Sequence, residues 1–143
     1  MTDVVSPKTR SRMMAGIRGK DTLPELRVRH YLHAAGLRYR LHDRRLPGCP
    51  DLVFPAARVA VFVNGCFWHQ HPFCKYATLP SNRSEFWLNK LGRNIVRDQR
   101  NLMALEQSGW MPLVIWECES RDELKLDRLY WEIRAGTRAT SPA

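Results

Sequence analysis

The string Cys66-Phe67-Trp68-His69-Gln70-His71-Pro72-Phe73-Cys74 places two thiols and two imidazoles on one short segment. Thiolate and imidazole are the donors that hold zinc in closed tetrahedral sites. Cys66 and Cys74 can supply thiolates, His71 a ring nitrogen, and Cys118 the fourth ligand, from just beyond an apolar run at 111–116. A closed set of this kind does no chemistry; it would pin an irregular loop to the end of a strand. The spacing is not a CxxC repeat, and buried free thiols are the competing reading. The remaining cysteine, Cys49, reads as a core thiol.

A second kind of chemistry is suggested by carboxylates. Pro50-Asp51 opens a strand, and a carboxylate at a strand edge beside backbone carbonyls suits Mg²⁺. Taken alone, Pro-Asp is more simply a turn with a capping carboxylate. If the turn at Pro55-Ala56-Ala57 centres between the two alanines, Asp51 lies opposite Phe62 in an antiparallel pair and beside the Phe62-Val63 backbone. Glu25 shares a helix face with Val28 and Leu32, which aims it toward the core; it also forms a capping-box pattern with Thr22. His69 is left over once His71 binds zinc, and an imidazole suits proton transfer near neutral pH. A swap of the two histidines is the alternative. His30, His33 and His42 read as surface or DNA-facing residues with no chemistry.

A third element is aromatic and basic. The formal net charge is +9, and a balance of this size points to a polyanion, with nucleic acid first. Phe67 and Trp68 stand on a loop held at both ends by candidate ligands, where large apolar side chains can wedge between base steps. Trp87 begins a helical stripe with Lys90, Arg93, Arg97 and Arg100, which could neutralise phosphates. A solvated helix face and ordinary core aromatics are the bland readings. Trp110, Trp116 and Trp131 look like core residues.

These side chains need a scaffold. The chain has 143 residues, 44% hydrophobic and 26% charged, which fits one domain over 1–143 with frayed ends at 1–7 and 137–143. Helices are expected at 8–19 and at 22–35, the latter with a stripe of Val28, Leu32 and Ala35 ended by Gly36. Strands are expected at 38–42, 51–55 and 58–64. A long helix at 83–107 would bury Leu88, Leu91, Ile95 and Leu102. A buried strand at 111–116 precedes a helix capped by Ser120, running to about Ala135 with Leu126, Leu129, Tyr130 and Ile133 inward. The order α-α-β-β-β-α-β-α implies an α/β fold, a mixed sheet flanked by helices. No secretory leader or membrane-length apolar run is evident, so a cytoplasmic protein is expected.

Together the residues resemble the very-short-patch-repair (Vsr) mismatch endonucleases, over roughly residues 8–135. The resemblance is carried by Thr9-Arg10-Ser11 with Met14, Asp21-Thr22 with Glu25, Leu46-Pro47-Gly48 with Pro50-Asp51, and Val61-Phe62-Val63. It continues through Gly65-Cys66-Phe67-Trp68-His69, Arg83 with Glu85-Phe86-Trp87-Leu88, and Trp116-Glu117-Cys118. It implies a restriction-endonuclease-like fold with one structural zinc, held by Cys66, His71, Cys74 and Cys118. The implied activity is a Mg²⁺-dependent nick of one DNA strand 5′ to the thymine of a T:G mismatch, the product of 5-methylcytosine deamination. The implied catalytic residues are Asp51, Glu25 and His69, with Val63 contacting the metal through its carbonyl. Phe67, Trp68 and Trp87 match the intercalating aromatics, and Met14 matches a wedge from the first helix. Lys90, Arg93 and Arg97 complete the expected DNA surface. The chain departs from the family pattern at Val63-Asn64, where the family often has Thr-His. Asn64 can supply a hydrogen bond but cannot exchange a proton near neutral pH. One extra residue also separates His71 from Cys74. The expected partner is mismatched duplex DNA, with other repair proteins downstream, in a bacterial cytoplasm at the nucleoid. A monomer suffices for a single nick. The alternatives are a nuclease of the same fold with another DNA target, and a zinc-stabilised DNA-binding module without catalysis.

Overall fold

The computed structural model describes residues 21–140. The expected helix at 8–19, with Met14, lies outside them. Helix α1 (Leu23–Ala34) starts where Thr22 turns its hydroxyl to accept from the Glu25 N–H, at 3.4 Å. Pro24 occupies the first turn, where its missing N–H costs nothing. At the other end Gly36 adopts φ +96°, and the Leu37 N–H reaches back to the Leu32 carbonyl. That left-handed turn closes the helix. The buried face is Glu25, Val28 and Leu32; Ala35, expected inward, is exposed.

Strands β1 (Arg40–Leu41), β2 (Leu52–Phe54) and β3 (Val59–Asn64) run antiparallel in sequence order, and β4 (Met111–Trp116) joins β3 in parallel. The result is the expected mixed sheet flanked by helices. The turn between β2 and β3 includes Arg58, in a left-handed conformation, whose N–H bonds the Pro55 carbonyl. Leu52 pairs with Val61, so the register places Asp51 against Phe62, as the turn position predicted. The central strands are buried on both faces because helices cover both. Val28 and Leu32 of α1 and Leu126, Leu129 and Ile133 of α3 (Glu123–Thr140) pack with Leu52, Phe54, Val59, Val61 and Ile115. The alternate residues Val53 and Ala60 face the other way.

Helix α2 (Ser84–Gln107) packs against β4. Its inward stripe departs from the expected one. Leu91 and Leu105 are buried, Leu102 is half-buried, but Leu88 and Ile95 are exposed. The true inner line is Trp87, Leu91, Asn94, Asp98, Asn101 and Leu105, at spacings of three and four residues. Its polar members hid it from a search for apolar periodicity. β4 also differs: only Ile115 is fully buried, because β4 is an edge strand. Ser120 does not cap α3; its hydroxyl donates to the Glu117 carbonyl, and Asp122 accepts from the Leu124 N–H. The helix extends past the expected end at Ala135, to Thr140. Trp131 is exposed, not core. Among the described residues no helix is long and apolar enough to cross a membrane.

Candidate active site and metal centre

The parallel register of β3 and β4 pairs Asn64 with Trp116. Two residues further along each chain are Cys66 and Cys118, and the Cys118 N–H donates to Cys66 Sγ at 3.4 Å. The loop after β3 folds back through the bond from the His71 N–H to the Cys66 carbonyl, at 2.9 Å. Stacking on Trp116, at 4.3 Å between ring centroids and 11° between planes, fixes the His71 ring. His71 Nδ1 then lies 3.7 Å from Cys66 Sγ and 3.4 Å from Cys118 Sγ. Tetrahedral zinc with ordinary bond lengths puts such N and S ligands about 3.6 Å apart. Ligand atoms of Cys66, His71, Cys74 and Cys118 all fall within 4.8 Å of one another. The four donors therefore fit a closed zinc site. Burial pushes the Cys66 thiol up to about 12 and raises Cys118 as well, so a metal must displace their protons to bind. Cys49, expected as a core thiol, is half-buried.

Asp51 sits one residue before β2. Its Oδ2 accepts from the Val63 N–H at 2.7 Å, so the neighbouring strand holds the carboxylate. Burial pushes the Asp51 carboxyl up to about 7; the Val63 N–H opposes this and the neighbouring Glu25 carboxyl adds to it. Glu25 is 1% exposed, beside the wholly buried Val28 and Leu32. Only one arm of the expected capping box forms, because its carboxylate is used elsewhere. Glu25 Oε2 accepts from Arg29 Nη2 and faces His42 Nε2 at 2.8 Å. Arg29 Nη2 also donates to Asp21 Oδ1 at 2.5 Å. Asp21, Glu25 and His42 have metal-ligand types close together, but the Arg29 guanidinium already supplies the cation there. A hard divalent ion fits better at Asp51, where its carboxyl and that of Glu25 crowd each other and repel when both are ionised. His42 was expected to do nothing; the structure turns its ring onto Glu25.

His69 and Trp68 are held by α2. His69 Nδ1 lies 2.6 Å from Asp98 Oδ2, and Asn94 Nδ2 donates to the Trp68 carbonyl at 3.1 Å. Asn94 and Asp98 are four residues apart and so share one helix face. Neither was singled out from the sequence, where both look like polar surface positions. The hydrogen bond of His69 goes to Asp98 rather than to the Asp51–Glu25 pair, while its N–H ties back to the Gly65 carbonyl at 3.1 Å. Asn64 ends β3 at 9% exposure.

Phe67, Trp68 and Trp87 form one cluster, with ring centroids 5.1, 5.4 and 5.9 Å apart in edge-to-face contacts. All three are half-buried. Lys90, Arg93, Arg97 and Arg100 are exposed on the outer side of α2. The structure thus brings the three aromatics together and puts the basic stripe on the helix that carries Trp87.

The chain is similar to known proteins over most of its length. The family model described as "DNA mismatch endonuclease Vsr" matches residues 2–75. The chain is 48% identical over 122 residues to type II nicking enzyme V.XorIIP of Xanthomonas oryzae pv. oryzae, covering 85% of this chain and 89% of that one. It is 43% identical over 126 residues to DNA mismatch endonuclease Vsr of Escherichia coli, covering 88% and 80%. It is 39% identical over 138 residues to type II nicking enzyme V.NmeAIP of Neisseria meningitidis, covering 94% and 98%. The chain belongs to the Vsr family of DNA mismatch endonucleases and is a DNA-nicking endonuclease.

Proposed function

We propose that this endonuclease nicks one strand 5′ to the thymine of a T:G mismatch left by 5-methylcytosine deamination, with Mg²⁺, and so starts very short patch repair. The observation that carries the reading is the Asp51–Glu25 pair: a half-buried and a buried carboxyl side by side, one held by the Val63 N–H and the other by Arg29. A bound Mg²⁺ would stabilise charge at the scissile phosphate and acidify a water. Asp51 would hold the ion, with the Val63 carbonyl as a second contact. Glu25 would orient the attacking water. His69, steered through Nδ1 by Asp98, would present Nε2 to move a proton. Asn64 would add a hydrogen bond where the family often has histidine.

The other residues serve recognition and stability. Phe67, Trp68 and Trp87, with Met14 from outside the described residues, would wedge into the stack at the mismatch. A mismatched step costs less to open than a paired one. Lys90, Arg93 and Arg97 would neutralise phosphates. Zinc on Cys66, His71, Cys74 and Cys118 would brace the loop between wedge and proton carrier. The enzyme would act as a monomer on duplex DNA at the bacterial nucleoid, with other repair proteins taking over the nick.

The test is nicking of duplexes carrying a single T:G in varied flanking contexts, beside matched T:A duplexes, with and without Mg²⁺. Nicking confined to the thymine strand of T:G, and only with Mg²⁺, is expected. Equal cutting of matched DNA would replace this reading with a nuclease of another target. Binding without any cutting would replace it with a non-catalytic module.

A further inference from the structure

We propose that His42 is a positioning residue of the active centre, clamping the backbone of Asp51 and the carboxylate of Glu25 at once; the inference rests on Asp51 and Glu25 being the catalytic pair. His42 follows β1 directly. Its backbone N–H donates to the Asp51 carbonyl at 3.1 Å, one rung beyond the pairing of Leu41 with Leu52. Its ring Nε2 lies 2.8 Å from Glu25 Oε2. Backbone and side chain of one residue therefore reach the two carboxylate-bearing segments, which come from different elements.

Two further observations support the clamp. His42 has φ +47°, a left-handed conformation that a residue with a Cβ adopts only when its surroundings hold it there. That conformation separates the directions of N–H and ring, so that one meets β2 and the other α1. Glu25 also needs the contact. A nearly fully buried carboxylate is costly without hydrogen bonds, and Arg29, from the same helix, binds the same oxygen Oε2. Arg29 Nη2 stands 3.3 Å from His42 Nε2, so cation and ring lock one oxygen from two sides. A carboxylate can only accept, so the His42 proton sits on Nε2 facing Glu25. His42 touches no substrate in this scheme; it sets the angle at which Glu25 meets the reacting water.

Two substitutions isolate the ring contact. Asn tolerates left-handed φ better than most residues, so His42→Asn keeps the backbone bond to Asp51 but is too short to reach Glu25. His42→Gln places an amide N–H about where Nε2 stands. Single-turnover nicking of a T:G duplex is measured for both, with KM, Mg²⁺-free DNA affinity, melting temperature and zinc content. The expected result is that His42→Asn lowers kcat by roughly tenfold or more while KM and DNA affinity hold, as for a misplaced catalytic group. His42→Gln should return the rate to within about threefold of native. A native rate in His42→Asn, or a His42→Gln as slow as His42→Asn, overturns the proposal. Asp51→Ala is assayed alongside: if it still nicks, the catalytic pair itself is misassigned, whereas a dead Asp51→Ala with a native His42→Asn overturns only the clamp.

Discussion

Asp98 Oδ2 lies 2.6 Å from Nδ1 of His69, which leaves Nε2 as the ring nitrogen that can face a substrate. The carboxylate fixes both the tautomer and the ring angle, because it accepts only from a protonated Nδ1. Asp98→Asn offers an amide that can also donate to Nδ1 and so favours the other tautomer. We expect kcat to fall by roughly 10²-fold or more, with melting temperature and zinc content unchanged. Single-turnover nicking beside a thermal melt checks this; an Asp98→Asn enzyme at native rate would show that His69 needs no such partner.

Asp51 gives a stability prediction of opposite sign to its activity. Its carboxyl rises from 3.8 to about 7 in the fold, chiefly through burial. The ionised form is thus disfavoured in the native state. That cost is absent below the unfolded value, grows as pH rises between the two, and is complete above about 7. Asp51→Asn keeps an acceptor for the Val63 N–H and removes the charge. In Mg²⁺-free buffer it should melt a few degrees above native at pH 8 and nearly level with it at pH 4. Nicking should be abolished throughout. Equal melting temperatures at pH 8 would contradict the burial argument.

Removal of zinc should unfold the loop that carries the wedge. Cys118→Ala deletes a proposed zinc ligand whose Sγ lies 3.4 Å from His71 Nδ1, and a melting temperature lower by about 10 °C or more is expected. Burial raises both Cys66 and Cys118, so protons compete with the metal and zinc retention should fall as pH falls. Metal content after dialysis at stepped pH measures this. Retained zinc in Cys118→Ala would exclude the four-ligand set.

The aromatic cluster should set discrimination more than rate. Trp68 contacts both Phe67 and Trp87 edge to face, so Trp68→Ala loosens all three. The ratio of T:G to T:A nicking should drop by about tenfold. A fluorescent base analogue beside the mismatch should report less unstacking. An unchanged ratio would place mismatch reading elsewhere.

Gly48 tests how the Asp51 loop is seated. Its φ is +79°, and a Cβ there would stand 3.0 Å from Asn101 on α2. Gly48→Ala should cost about 1–3 kcal/mol of stability from backbone conformation and crowding together. Denaturant unfolding measures it; a neutral substitution would mean that loop and helix move apart easily.

The sequence by itself determined a good deal. Cysteine and histidine types near residues 66–74 suggest three members of a candidate zinc set, while the cap at Thr22 and the turn after Phe54 specify the helix carrying Glu25 and the hairpin register. Each is local: a cap, a ligand spacing and a four-residue turn act within a few positions. The register that follows from the turn puts Asp51 beside Val63 without knowledge of any other element. The tertiary structure decided what depends on contacts between distant segments. The inner face of α2 was one such case. Asn94 and Asp98 look like surface residues until the helix docks on the loop from Gly65, and then they hold Trp68 and His69. His42 was another, since only the packing of α1 beside β1 brings its ring to Glu25. The parallel pairing of β3 with β4, across a gap filled by a loop and a long helix, set Cys66 against Cys118. Polar groups that work inside a protein carry no apolar periodicity. Their partners, and so their meaning, exist only once the chain has closed on itself.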